Sequence, residues 1–238
     1  MRATAQIETT AHRAAHEARP ARPAAWSDGA AADTLHDARF RRLLGARDWQ
    51  ALPAPVRRRF SKRLAPGETV LYRGRVTETT LTAAGRVLAQ LARLIGSPLP
   101  LGHGETGAAA VAVTEDPAIG GQIWTRLYAR AGRFPQVVHS AKRFQGPTGL
   151  EEYVGRGVGM ALELAVEEGA LVFRSRHYFL QVLGRRWRLP LPRLLAPGAM
   201  EIVHREEGGG TFSFILSLTH PLLGRLIHQV ALFEEVVS

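Results

Sequence analysis

MALELAVE, residues 160–167, sets Met160, Leu162, Leu164 and Val166 on one side of an extended chain, against Ala161, Glu163, Ala165 and Glu167. Side chains alternate across a β-strand with a period of two, so this segment is greasy on one face and wet on the other. That pattern belongs to an antiparallel sheet with a single buried face; strands covered on both sides read as unbroken apolar runs. The alternation recurs in TFSFILSL, residues 211–218, where Phe212, Phe214, Leu216 and Leu218 oppose Thr211, Ser213 and Ser217.

Working outward, strands are predicted over residues 68–79, 108–115, 121–130, 135–145, 157–167, 170–183, 199–206, 210–219 and 224–236. Hairpin-like turns join several of them, at Asp116–Gly121, Glu167–Gly169 and Glu207–Gly210. In the first strand Val70, Tyr72 and Val76 alternate with Arg73 and Arg75. Residues 190–197, rich in proline, read as a turn or helical corner. Thr80 is a good N-cap for a helix over residues 81–95, with Ala84, Leu88, Leu91 and Ile95 on one face and Arg86, Gln90 and Arg93 on the other. Two cations make a poor basic face for a membrane surface, so this helix is predicted to cover a sheet. A Gly/Pro-rich loop, residues 96–107, follows it. Strands do not alternate with helices, which excludes a dinucleotide-binding α/β domain. The fold class is mainly β (α+β): a strongly curved antiparallel sheet or barrel of about nine strands wrapped around one amphipathic helix.

The first quarter of the chain reads differently. Residues 1–33 have almost no large aliphatic side chains and are expected to be a disordered basic tail. Residues 34–65 are expected to form a short N-terminal helical cap: Leu35, Leu43 and Leu44 in a helix stopped by Gly45, then Trp49, Leu52, Val56 and Phe60 in a second helical stretch. The antiparallel β domain then occupies residues 66–238.

Composition bounds the chemistry. With 45% apolar and 7% aromatic residues among 238, the chain has ample material for a core. It has no cysteine, which removes disulfides, thiolate nucleophiles and Cys-based zinc sites together. No secretory-signal pattern and no long apolar run is present, so a cytoplasmic protein without a transmembrane segment is expected. The net charge of +10 comes almost wholly from arginine, Lys62 and Lys142 being the sole lysines, which fits a GC-rich genome better than selection for phosphate binding. Residues 1–65 hold 13 Lys and Arg against 6 Asp and Glu, so the basicity sits mainly there and the β domain is nearly balanced. Arg185, Arg186 and Arg188 flank Trp187 within a strand–turn and carry no recognised nucleic-acid signature, so no specific nucleic acid is expected as a partner.

GHGETG, residues 102–107, is a literal GxGxxG, but a Pro-containing loop precedes it and a β-like run follows. A pyrophosphate needs a strand before and a helix after, so no nucleotide is assigned to it. Gly155, Gly157 and Gly159 serve backbone bending. His12 and His16 have helical ligand spacing but fall in the tail. His139, His177 and His228 sit on strands and would have to converge across a barrel to bind a metal; the others are scattered, and neither metal nor cofactor is expected. A better lead is the polar set on the early strands: Arg73, Arg75, Trp124, Arg126, His139, Lys142, Glu151, Glu152 and Tyr153. From it, Arg73, Trp124, Arg126, His139, Glu152 and Tyr153 are the candidate ligand-binding residues, an arginine in a pocket favouring a carboxylate or phosphate. No catalytic residue is assigned.

The stretches IWTRLY (123–128), LEEYVG (150–155), RLPLPRLLAP (188–197) and HPLLGR (220–225) together resemble, in order, the bacterial family known as domain of unknown function 4166. The likeness covers roughly residues 43–235. It implies no assigned activity. Similar domains can follow oxidoreductase-like domains in longer chains, which implies a partner enzyme as one possible neighbour. Three functions are therefore carried forward. The first is a non-catalytic domain binding an apolar, acidic small molecule inside the sheet. The second is an accessory domain docking onto a partner enzyme such as an oxidoreductase. The third is an enzyme using a strand-borne pair, His139 with Glu151 or Glu152.

Overall fold

A strand is stable only where neighbours take up its backbone hydrogen bonds, and here every barrel strand finds two. The computed structural model describes residues 35–66, 68–94, 96, 99, 106–116, 118–182 and 187–236. The tail expected over residues 1–33 lies outside the described residues, as does most of GHGETG. In chain order the elements begin with β1 (Leu35–His36), α1 (Arg39–Ala51), α2 (Ala54–Phe60), β2 (Lys62–Arg63), β3 (Thr69–Leu81) and α3 (Ala83–Leu94). Then come β4 (Gly107–Asp116), β5 (Gly121–Arg130), β6 (Arg133–Arg143), β7 (Glu151–Gly155), β8 (Val158–Glu167) and β9 (Ala170–Val182). The chain finishes with β10 (Trp187–Pro190), β11 (Ala199–Gly208), β12 (Thr211–His220) and β13 (Gly224–Glu235).

The described strand pairings are all antiparallel, and the order is a meander: β3, β4, β5, β6, β7, β8, β9, β11, β12, β13. The last of these pairs with β3, from Ile227↔Leu81 to Glu235↔Tyr72, so ten strands close into a barrel without open edges. The expected curved sheet is therefore closed. One extra strand, β10, pairs with the second half of β9 (Phe179–Val182), while β11 takes the first half (Leu171–Arg174). Two expectations are refined. Residues 151–155 are a strand that the alternation did not show, and β10 reaches to Pro190, so the corner begins after it.

Alternation sorts the wall into two faces. Register aligns Val111 with Arg126 and Val138, and Val113 with Trp124 and Ser140, across β4, β5 and β6. These side chains share the inner face with Phe212, Phe214, Ala231 and Phe233 from the opposite wall. The outer face carries ion pairs such as Arg73–Glu234, Arg174–Glu201 and Arg176–Glu163, exposed pairs that each add at most about 1 kcal/mol. A bulge at Thr77, whose hydroxyl donates to the Val230 carbonyl at 3.2 Å, hands the inner face of β3 from Val76 to Thr79. Among the described residues no helix is long and apolar enough to cross a membrane.

The two ends of the barrel are closed by different helices. At one end, where the β4–β5, β8–β9 and β11–β12 turns lie, α1 and α2 bury Phe40, Leu52, Val56 and Phe60 against Leu150, Leu162, Leu171 and Phe173. Gly45 takes φ +80° and kinks α1, a backbone turn that a residue with a Cβ makes only with strain. Arg39 pins α1 to Asp37, Glu115 and the Gly120 carbonyl, and Arg59 pins α2 to Glu206 and His204. His204 is fully buried among Phe60, Phe212 and Phe214, and burial, aided by the Arg59 charge, holds its pKa well below the usual imidazole value. An unfolded histidine takes up a proton near pH 6.5 and the folded one does not. Stability is therefore present above that pH and lost as pH falls below it, by up to about 1.4 kcal/mol per pH unit. Thermal melts between pH 7 and pH 5 should show this slope, and a His204→Gln variant should lose it.

At the other end α3 lies across the mouth. The expected buried face was Ala84, Leu88, Leu91 and Ile95, the last of which lies outside the described residues; the structure buries Gly85 and Ala89 most deeply, half-buries Ala84, Leu88 and Ala92, and leaves Leu91 56% exposed. The reason is close approach. A Cβ on Gly85 would fall on the Leu226 carbonyl oxygen, so the helix can seat only through its smallest side chains. Gly85→Ala should therefore force α3 outward and cost about 1–3 kcal/mol, read as a lower Tm.

Candidate functional site

Between the two helical closures the bore is not filled. A cavity of about 120 Å³ lies at mid-height, walled by Val111, Trp124, Phe173, Ile202, Phe214 and Phe233. A second, of about 250 Å³, lies beneath α3 against Leu88, Leu91, Tyr178, Leu218 and Ile227. Leu99, Val154, Met160, Met200 and Leu216 line both, so the two adjoin along the barrel axis. Their combined size is at the lower end of the roughly 300–1,000 Å³ found for small-molecule pockets, and their walls are mostly apolar.

One side of the mid-height cavity is charged. Lys142 Nζ stands 3.2 Å from Glu152 Oε1, and Arg126 approaches the same oxygen at 3.8 Å while donating to Ser140 Oγ at 3.1 Å. Lys142 and Glu152 are each 3% exposed. Trp124 lies beneath both cations, 4.9 Å from Lys142 Nζ and 5.6 Å from the Arg126 guanidinium carbon. Burial drives the Lys142 pKa down, with Glu152 pulling the other way. Burial alone would raise the Glu152 carboxyl, but Lys142 and then Arg126 outweigh it and hold it below the ordinary glutamate range. Fully ionised, the trio carries one excess positive charge. Glu152 Oε2 is buried without a hydrogen-bond partner among the described residues, an unfilled acceptor beside the cavity.

The six candidate residues separate into three places. Trp124, Arg126 and Glu152 meet in the bore, with Lys142 from the wider polar set. Strand alternation turns the His139 and Tyr153 side chains outward, where they line an open groove of about 620 Å³ with Arg143, Arg156 and Gln181, while His139 also borders the mid-height cavity. Arg73 stands alone of the six, exposed on the outer wall and paired with Glu234. His139 and Glu152 are thus on opposite faces of the wall and are not brought together as an acid–base pair. Glu151 is fully buried outside the barrel, gripped by both terminal guanidinium nitrogens of Arg188 at 2.6 and 2.7 Å and by Tyr153 and Gln145. Burial raises the Tyr153 phenol and Glu151 beside it raises it further, so this phenol stays protonated. This network straps β10 and the residue 144–150 turn to β7.

His139, His177 and His228 lie on β6, β9 and β13, which are not neighbours in the barrel. Among the described residues no group of three or more His, Asp or Glu could hold a metal ion. Sequence reasoning passed over Gln229, which lines the cavity while donating to Thr79 Oγ1 at 3.2 Å; only the β3–β13 register reveals it.

Comparison with curated proteins and with solved structures finds no match. The family model described as domain of unknown function (DUF4166) matches residues 52–233, a span that runs from the end of α1 into β13 and takes in every barrel residue of the charged trio. On that match, over most of its length and in agreement with the four short stretches read from the sequence, the chain belongs to the DUF4166 family.

Proposed function

We propose that the protein is a non-catalytic binding domain that holds an apolar small molecule with an acidic head group in its bore. The observation that carries this reading is the Arg126–Lys142–Glu152 trio, buried in the wall of an otherwise apolar cavity. Two cations against one carboxylate favour an anion, and an arginine fork suits a carboxylate in particular. The unfilled Glu152 Oε2 adds a preference for a ligand that brings one donor, such as a hydroxyl, near its acid. The apolar compartment beneath α3 would take the body of the molecule.

Native mass spectrometry of the chain purified from its own host tests this. A retained mass that is released on unfolding and extracts as an organic acid is the expected result. A spectrum of bare chain only, with no uptake of added alkyl carboxylates, would count against it.

A further inference from the structure

The end of the barrel that α3 crosses has an outer surface unlike the rest of the molecule. Leu94 is 72% exposed and Val87 61% exposed on α3, Phe134 is 93% exposed beside the β5–β6 turn, and Leu222 is 74% exposed in the β12–β13 turn. Leu195, 76% exposed, belongs to the segment after β10, which reaches the same end because a His220 ring nitrogen lies 3.4 Å from the Leu194 carbonyl. Large side chains are left bare here one turn after another, which isolated surface leucines do not do.

Among the described residues the charges at this end are of one sign. Arg86, Arg93, Arg133, Arg156, Arg193 and Arg225 are all exposed. The described segments that build the end, residues 81–94, 128–136, 154–158, 187–198 and 218–228, contain no Asp or Glu. The turns at the opposite end carry Asp116, Glu167, Glu168, Glu206 and Glu207 instead. The mouth is therefore cationic and greasy, whereas the capped end mixes acidic turns with the exposed Arg41, Arg42, Arg47 and Arg58 of α1 and α2.

From this we infer that the α3 mouth docks on an anionic lipid surface. Protruding apolar side chains enter the boundary between head groups and acyl chains, while arginines around them meet anionic head groups. A protein partner would need matching acids and a fitted apolar face; a bilayer supplies both without a fixed shape. The α3 sequence alone offers only two cations, and the other four come from turns that the barrel gathers around it. The same mouth overlies the larger cavity, so docking would place the bore entrance against the lipid. The inference stands on exposed residues and holds whether or not the bore takes an acid.

Flotation of the full chain with vesicles tests it: phosphatidylcholine alone, and phosphatidylcholine with about a third phosphatidylglycerol. The chain should float with the anionic vesicles and much less with the neutral ones. Each of Arg86→Gln, Arg133→Gln and Arg225→Gln should lower the partition, by about fivefold per arginine. Leu94→Ser with Leu222→Ser should weaken it further, with melting unchanged because both side chains are exposed. Arg126→Gln, inside the bore, should leave flotation as it was, which separates this surface from the proposed ligand site. Absence of binding, equal binding to neutral vesicles, or undiminished binding by the mouth variants would each overturn the inference. So would mouth variants that change only self-association or the capture of a protein.

Discussion

Replacing Glu152 by Gln should cost the fold about 3–5 kcal/mol, the penalty for leaving buried cations without their counter-charge. Lys142 has its ammonium 3.2 Å from this carboxylate and is 3% exposed, so water cannot take the place of the lost charge. Arg126, less buried, would turn toward Ser140 and the cavity. The shape of the side chain is conserved in Glu152→Gln, so packing loss cannot explain the effect. The double variant Glu152→Gln with Lys142→Met should recover most of the loss, since a buried pair is often replaceable by apolar groups at little cost. Chemical denaturation of both variants checks it. A single variant within about 0.5 kcal/mol of wild type would mean that the pair is hydrated and the cavity wet.

Phe212→Ala should be comparably severe, about 3–5 kcal/mol. Phe212 is 0% exposed and meets Tyr72 edge-on at 5.3 Å, Phe233 stacked at 6.1 Å and His204 at 5.0 Å, with the Arg59 guanidinium carbon 4.2 Å from its ring. It stands between α2 and the mid-height cavity. A small void of about 30 Å³ on its capped side shares Trp124 and Phe214 with that cavity. Truncation would therefore extend the bore toward the cap rather than leave a sealed hole, and the surrounding rings cannot close a space that ten hydrogen-bonded strands hold open. Leu189→Ala on β10, a residue 49% exposed, should change stability by less than about 0.5 kcal/mol in the same assay.

Most of the barrel was legible because one face of each long strand meets only side chains of the core. β8 and β12 show it best: Met160, Leu162 and Phe212 are buried, while Glu163 and Glu167 are exposed. β7 was hidden because both of its faces are buried with charge. Glu152 points to the bore and Glu151 to Arg188, so two adjacent glutamates read as polar when neither meets water. β10 was hidden by its proline and by being exposed along all four residues. On α3, periodicity selected the bulky apolar face, whereas the seat is set by how near the Leu226 backbone comes, and that favours Gly85 and Ala89. The candidate site was half legible. Trp124 and Arg126, two residues apart on β5, had to share a face, and parity with Lys142 across β6 follows once register is known. Tyr153 could not be separated from Glu152 without knowing which neighbour points inward.

The proposed function rests on the bore accepting an apolar molecule by its acid. Isothermal titration of the chain with decanoate and, separately, with decanol measures that directly, since the two differ only in the head group. Decanoate should bind at one per chain, decanol about tenfold or more weaker, and Arg126→Gln should erase the difference between them. No heat from either, or equal affinity for both with Arg126→Gln without effect, would contradict an anion-binding bore.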